Sequence, residues 1–278
     1  MNILQKLKRM KRNFIWNRRK FNPDRHDNQL FDNDEDLTDY LKKNKNKKGF
    51  QYKSEHAYPV AEYMHEDKIC LKTMKHVFKD TINLKLSHWD KDDFQNICQM
   101  IKLTKNLVGD YVEIGVYTGS SGNLAMCYMD NANIKRNCFF IDTFEGFNYN
   151  TAFTSFDSGF KGTHLIDDRD IIPFLHKMLS RYKNKYKIIQ SNICINELPS
   201  EIKKIAVCNI DVDMYEPTRD ALNKIKNKIV KNGVIIVEDF GHTPALAGSN
   251  LAVREFLGVN KNFLPIYFSS GQMVLFKK

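Results

Sequence analysis

Tyr111-Val112-Glu113-Ile114-Gly115-Val116-Tyr117-Thr118-Gly119-Ser120-Ser121-Gly122 is the stretch that decides the fold. It ends a short apolar strand candidate and opens a helical segment. Glycines at such a turn let the backbone approach a ligand and adopt dihedrals that other residues avoid. The spacing is not G-x-G-x-x-G, which argues against a dinucleotide fingerprint, and no G-K-[ST] follows as a P-loop would need. An acid two residues before the first glycine suits a cationic amino-acid ligand better than a pyrophosphate. Glu113, Gly115, Tyr117, Gly119, Ser120 and Ser121 are the expected cofactor contacts.

Downstream, short apolar runs alternate with helical patterns. The predicted strands are Tyr111–Gly115, Cys138–Asp142, Tyr186–Gln190, Ile205–Val212 and Val234–Glu238. Helices fit at Asn123–Met129, Ile171–Tyr182 and Thr218–Lys228. Such alternation predicts a parallel sheet covered on both faces. Pro265–Phe268 and Met273–Lys277 flank Ser269-Ser270-Gly271 and read as a closing hairpin. The expectation is an α/β, doubly wound, seven-stranded and mostly parallel sheet with an antiparallel C-terminal hairpin.

Three regions are expected: a charged extension over 1–50, a helical cap over 51–105, and the sheet domain over 106–278. The cap includes a helix pattern over Asp90–Asn106. Met1 to Phe21 carries eight basic residues and no acidic ones, with apolar residues at roughly helical spacing. That makes a basic amphipathic helix suited to an anionic membrane or polymer, or an arm packed on its own domain or a sister subunit in a homo-oligomer.

The 278 residues carry a formal charge of +10, which favours anionic partners. None of the six cysteines forms a C-x-x-C pair, so free thiols in a reducing compartment are expected. No apolar run is long enough to span a bilayer, and the N-terminus lacks a signal-peptide core. The expected location is cytoplasmic, with peripheral attachment at the inner membrane surface as a further option.

Asp142 closes the second strand, where an acid accepts hydrogen bonds from ribose hydroxyls in doubly wound folds, and Thr143 follows it. Ser191 and Asn192 follow the third strand, where adenine contacts are expected. The fourth strand ends in Asp211-Val212-Asp213-Met214-Tyr215 and the fifth in Glu238-Asp239-Phe240-Gly241-His242. Parallel neighbours put both ends at one rim, which gathers Asp211, Glu238 and Asp239. Such a concentration of negative charge is costly without a counter-ion, and oxygen donors suit Mg²⁺. The alternative is that these acids cap helices.

Together these motifs resemble the macrocin O-methyltransferase family, sugar O-methyltransferases of the class I fold. The matching pieces are Val112-Glu113-Ile114-Gly115-Val116, Asp142-Thr143-Phe144-Glu145-Gly146-Phe147, Asp211-Val212-Asp213-Met214-Tyr215-Glu216-Pro217-Thr218 and Asn232-Gly233-Val234-Ile235-Ile236-Val237-Glu238-Asp239-Phe240. Ala252, Val253 and Phe256 follow in the next helix, and the resemblance covers roughly residues 90–278. It implies S-adenosylmethionine as methyl donor, a sugar hydroxyl on a glycan, glycolipid or small metabolite as acceptor, and assistance from Mg²⁺. The acidic pair is usually Asp-Asp in the family and is Glu238-Asp239 here. Catechol-type relatives carry a lysine base where this chain has Met214.

A sugar hydroxyl needs a base, and histidine suits that role. The family's base lies in the loop after the second strand, which points to His164 in the segment Asn148–Asp170. His242, next to the acidic pair, is the competitor. Phe147, Tyr149, Phe153, Phe156 and Phe160 could stack on sugar faces or form a small core beneath the loop. Two other functions compete. A nucleic-acid methyltransferase is disfavoured because no D/N-P-P-Y/F motif is present. The other is a non-catalytic docking protein that keeps the fold.

Overall fold

The computed structural model describes Asp39, Lys42, Lys43 and residues 67–278, apart from 87–88, 149, 151–160, 167–169 and 242–246. The chain runs α1 (Lys68–Asn83), α2 (Lys91–Leu103), β1 (Asp110–Ile114), α3 (Ser120–Asn131), β2 (Cys138–Asp142), α4 (Ile171–Leu179) and β3 (Tyr186–Gln190). It continues with β4 (Ile205–Ile210), α5 (Tyr215–Ile225), β5 (Ile229–Val237), a single turn of 3-10 helix (Glu238–Phe240), α6 (Ala247–Val259), β6 (Phe263–Tyr267) and β7 (Met273–Lys277).

The strands form one seven-stranded sheet in the order β3-β2-β1-β4-β5-β7-β6. β7 is antiparallel to both β5 and β6, and the other pairs are parallel. This is the expected doubly wound sheet with its antiparallel hairpin. β2 and most of β7 are buried and read as continuous apolar runs, and the half-exposed edge strand β3 is marked by Ile188 and Ile189, so all three lie where the sequence puts them. β5 starts at Ile229, earlier than expected, because Lys231, Asn232 and Gly233 bulge out between two registers with β4. Polar residues in a bulge hide a strand from a hydrophobicity pattern.

Alternation along the central strands feeds two cores. Tyr111, Val207, Ile236 and Val274 face α1 to α4. Val112, Ile114, Cys208, Ile210 and Ile235 face α5 and α6. The cap helices α1 and α2 therefore share the core of the sheet domain. Asp67 caps α1 by accepting from the Cys70 amide at 2.9 Å, and Asp90 caps α2 by accepting from the amides of Asp92 and Asp93. Asp80 of α1 pairs with Arg181 and accepts from the Asn123 side chain, which ties α1 to the first turn of α3. All six cysteines are free and five are buried, as expected. Among the described residues no helix is long and apolar enough to cross a membrane. The basic segment 1–21 lies outside the described residues, as do the rest of 1–50 apart from Asp39, Lys42 and Lys43, and the start of the cap at 51–66.

Candidate active site

In an open parallel sheet the ligand crevice lies beyond the carboxyl ends of the strands, where the strand order reverses. Here that point falls between β1 and β4. Gly115 leaves β1 with φ +92°, and a Cβ there would lie 1.8 Å from the carbonyl oxygen of Asp211. Only glycine permits the two strand ends to approach so closely. The Asp211 amide donates to the carbonyl of Ile114 at 2.9 Å, which locks the glycine loop to the end of β4.

Glu113 sits beneath this loop. It is fully buried and accepts from the Tyr111 hydroxyl and the Ser121 hydroxyl, both at 2.8 Å. Burial, opposed by these hydrogen bonds, raises its pKa from 4.5 to about 7. The carboxyl of Glu113, an expected cofactor contact, is turned inward beneath the loop. Glu113 pins the first turn of α3 under the loop, because the pleat of β1 turns it toward the α3 side of the sheet. Gly119, with φ +85°, starts α3 without a side-chain cap, and the Gly122 amide in that first turn donates to Glu113, which leaves the amides of Ser120 and Ser121 at the helix end. Ser120 adds a buried hydroxyl with no hydrogen-bond partner among the described residues. A ligand carboxylate at this helix end would satisfy both.

Asp142 closes β2 as expected and is heavily engaged. One oxygen accepts from the amides of Val116 and Tyr117 at 2.6 and 2.8 Å, and the other accepts from Phe144 at 2.7 Å. A carboxylate has about four acceptor sites, so roughly one remains for a ribose hydroxyl. Thr143 accepts from the Glu145 amide through its hydroxyl. The Ser191 amide donates to the Asp142 carbonyl, which places Ser191 at the same rim. The Asn192 side chain accepts from Cys194 and shapes its own turn.

The acids divide differently from the expectation. Carboxylate oxygens of Asp211, Asp213 and Asp239 all lie within 4.8 Å of one another. Asp213 adopts φ +60°, and its amide donates to Asp239 at 3.1 Å. Glu238 does not join them. It is buried, and its carboxyl accepts from Gln272 Nε2 at 2.5 Å. Burial, together with the charges of Asp93 and Asp211, pushes its pKa well above the usual carboxylate range. The reason is the pleat: β5 pairs with β7, so Glu238 continues the side occupied by Ile236 and Val274, toward α2. The turn that follows delivers Asp239 to the rim. Asp213 belongs to the same motif as Asp211, but it lies beyond the end of β4 in a left-handed turn, so strand alternation does not place it.

His164 is brought against the glycine loop. Its ring packs edge-on to Tyr117 at 5.5 Å and to Phe147 at 5.0 Å between centroids. The loop after β2 is closed at its neck by Phe147 N to Thr163 O at 3.1 Å and Gly162 N to Phe147 O at 2.7 Å. Gly146 makes this crossing possible, since a Cβ there would lie 2.5 Å from the His164 carbonyl. Thr163 Oγ1 and His164 Nδ1 are 2.9 Å apart. His242, Tyr149, Phe153, Phe156 and Phe160 lie outside the described residues. Phe147 is buried against His164.

A family model for macrocin-O-methyltransferase (TylF) matches residues 4–278. The chain belongs to the macrocin O-methyltransferase family. It is an O-methyltransferase, and the family match also takes in most of the basic N-terminal segment. Solved structures agree on the fold. The O-methyltransferase NovP is 19% identical with a TM-score of 0.56, over 68% of this chain and 80% of that one. CalS11, a calicheamicin methyltransferase, is 16% identical with a TM-score of 0.57, over 83% of this chain and 98% of its own. A second CalS11 structure, described as a TDP-rhamnose 3'-O-methyltransferase, is 15% identical with a TM-score of 0.52, over 76% and 94% of the two chains. No curated protein matches the sequence.

Proposed function

We propose that this macrocin O-methyltransferase family member transfers the methyl group of S-adenosylmethionine to a sugar hydroxyl, with a bound divalent cation such as Mg²⁺. The acceptor is a sugar-containing metabolite, glycolipid or glycan. The observation that carries the reading is the group Asp211, Asp213 and Asp239 at the carboxyl rim, tied to the glycine loop through Asp211. Three carboxylates so close repel one another, and a hard cation relieves that repulsion. Their donors are all oxygen, which suits Mg²⁺ better than zinc.

The cation, when bound, lowers the pKa of a coordinated hydroxyl and fixes its position. The chain's own residues supply the rest. The first turn of α3 with Ser120 holds the amino-acid end of the methyl donor, and Asp142 receives one ribose hydroxyl. His164 takes the acceptor's proton at Nε2, which requires the tautomer in which Nδ1–H donates to Thr163 Oγ1. The neck at Phe147 and Thr163 holds that imidazole beside the glycine loop.

Calorimetric titration with S-adenosylhomocysteine, in Mg²⁺ and then in excess chelator, tests the reading. Binding under either condition, followed by methylation of a sugar nucleotide or glycan that stops in chelator, is expected. Absence of binding under both conditions sinks it and leaves the docking-protein alternative.

A further inference from the structure

The rim opposite the site is strongly basic. Backbone hydrogen bonds trace it: Cys138 N to Lys185 O, Asp110 N to Lys204 O, Ile205 N to Lys228 O and Lys278 N to Asn262 O, each 2.8 to 2.9 Å. These are the starts of β2, β1 and β4 and the end of β7, with the residues just before β3, β4, β5 and β6 as acceptors. Exposed Lys135, Lys203, Lys231 and Lys261 stand within a few residues of the same strand ends. Among the described residues, the acids interspersed here are Asp110, Asp130 and Glu201, and Glu201 is paired with Lys187. Six strand spacings of ~4.8 Å make this row about 29 Å long.

Large apolar side chains project at the same rim. Val108 is 80% exposed, Val259 79% and Leu103 60%. Their place is fixed by Arg136, which donates to the carbonyls of Thr104 and Gly109, and by Asn260, which follows Val259 at the start of the turn into β6. A polyanion would be held by the lysines alone and has no use for apolar tips. An anionic bilayer uses both, because apolar residues enter the acyl boundary while lysines meet the headgroups.

We propose that the amino-terminal rim of the sheet docks on an anionic lipid bilayer. Docked this way, the carboxyl-rim site lies a strand length away, roughly 17 Å for five residues. It faces the aqueous phase and remains open to a water-soluble acceptor. This surface is separate from the proposed chemistry and does not depend on it.

Co-sedimentation of the full chain with vesicles of phosphatidylcholine plus phosphatidylserine, against phosphatidylcholine alone, tests the proposal. Binding to the anionic vesicles only, weakened by salt, is expected. Lys203→Gln with Lys204→Gln and Lys231→Gln should lower affinity on the order of a hundredfold, at about fivefold per lysine removed. Val108→Ser with Val259→Ser should weaken vesicle binding and leave polynucleotide binding unchanged. Thermal unfolding of each variant establishes that it is folded. Wild-type binding by both variants overturns the proposal and moves docking elsewhere, first to the basic segment 1–21. No vesicle binding by the wild type overturns it as well. So does vesicle binding that responds to the charge changes and ignores the apolar ones, which would mark a face for polyanions.

Discussion

Gln272 donates its side-chain amide to the carboxyl of Glu238 at 2.5 Å, with both residues buried. Asn96 of α2 in turn donates to Gln272 Oε1 at 2.8 Å. The C-terminal hairpin and the cap thus hold Glu238 away from the rim while its neighbour Asp239 reaches it. Glu238→Gln should keep Mg²⁺ or Mn²⁺ affinity within a few-fold, whereas Asp213→Asn and Asp239→Asn should lower it at least tenfold. Calorimetric titration of the ion decides this, and equal losses in all three variants would return Glu238 to the ligand set.

The same pair bears on stability. Gln272→Leu leaves a buried carboxyl without its donor, which costs ~1–3 kcal/mol. Urea unfolding at neutral pH should show that loss. A change under half a kcal/mol would mean that another group takes over the bond.

Glu113 makes stability depend on pH. Its folded pKa of about 7 lies above its ordinary 4.5, so the folded state holds the proton more tightly than the unfolded chain. The stabilisation is fully present below about pH 4.5 and fades as pH rises toward 7. It amounts to on the order of 3 kcal/mol at 1.36 kcal/mol per pH unit. Urea unfolding across pH 5 to 8 should show a smaller decline in Glu113→Gln than in the wild type. Parallel curves for the two proteins would rule the effect out.

Gly115→Ala places a methyl against the Asp211 carbonyl at a φ of +92°. Both the clash and the dihedral are unfavourable, and at least ~3 kcal/mol of stability should be lost. The loss should appear as a lower urea midpoint together with loss of S-adenosylhomocysteine binding. A variant as stable as the wild type would show that the β1 and β4 ends can separate.

His164→Ala should lower turnover by about 10²–10⁴-fold, the usual worth of a general base, with S-adenosylhomocysteine affinity unchanged. Thr163→Val should give a smaller fall in kcat with KM retained, since it loosens only the imidazole. Near-normal turnover in His164→Ala would move the base to another group, His242 first.

Several features of this molecule are set by local sequence. Cys138–Asp142, Tyr186–Gln190 and Met273–Lys277 are strands with the bounds expected, the first and last because buried strands need apolar runs between turn residues, and the half-exposed edge strand between them because Ile188 and Ile189 favour extended chain. The glycine loop, Asp142 at the end of β2 and Asp211 at the end of β4 follow from the same reading.

Tertiary structure decided the rest. Whether Glu238 or Asp239 reaches the rim depends on β7 pairing with β5, which brings Gln272 to Glu238 across 34 residues of chain. Glu113 is an acid next to glycines in sequence, and only the packing of α3 on β1 turns it inward against Tyr111 and Ser121. His164 stands 47 residues after Tyr117 and touches it only because the loop neck closes at Phe147. The lysines before the strands are scattered along the chain, and winding the sheet gathers them on one rim. Local sequence sets where strands begin and end, since that depends on near-neighbour hydrophobicity. Which side chains meet depends on pleat, register and crossover, and those exist only once distant segments pair.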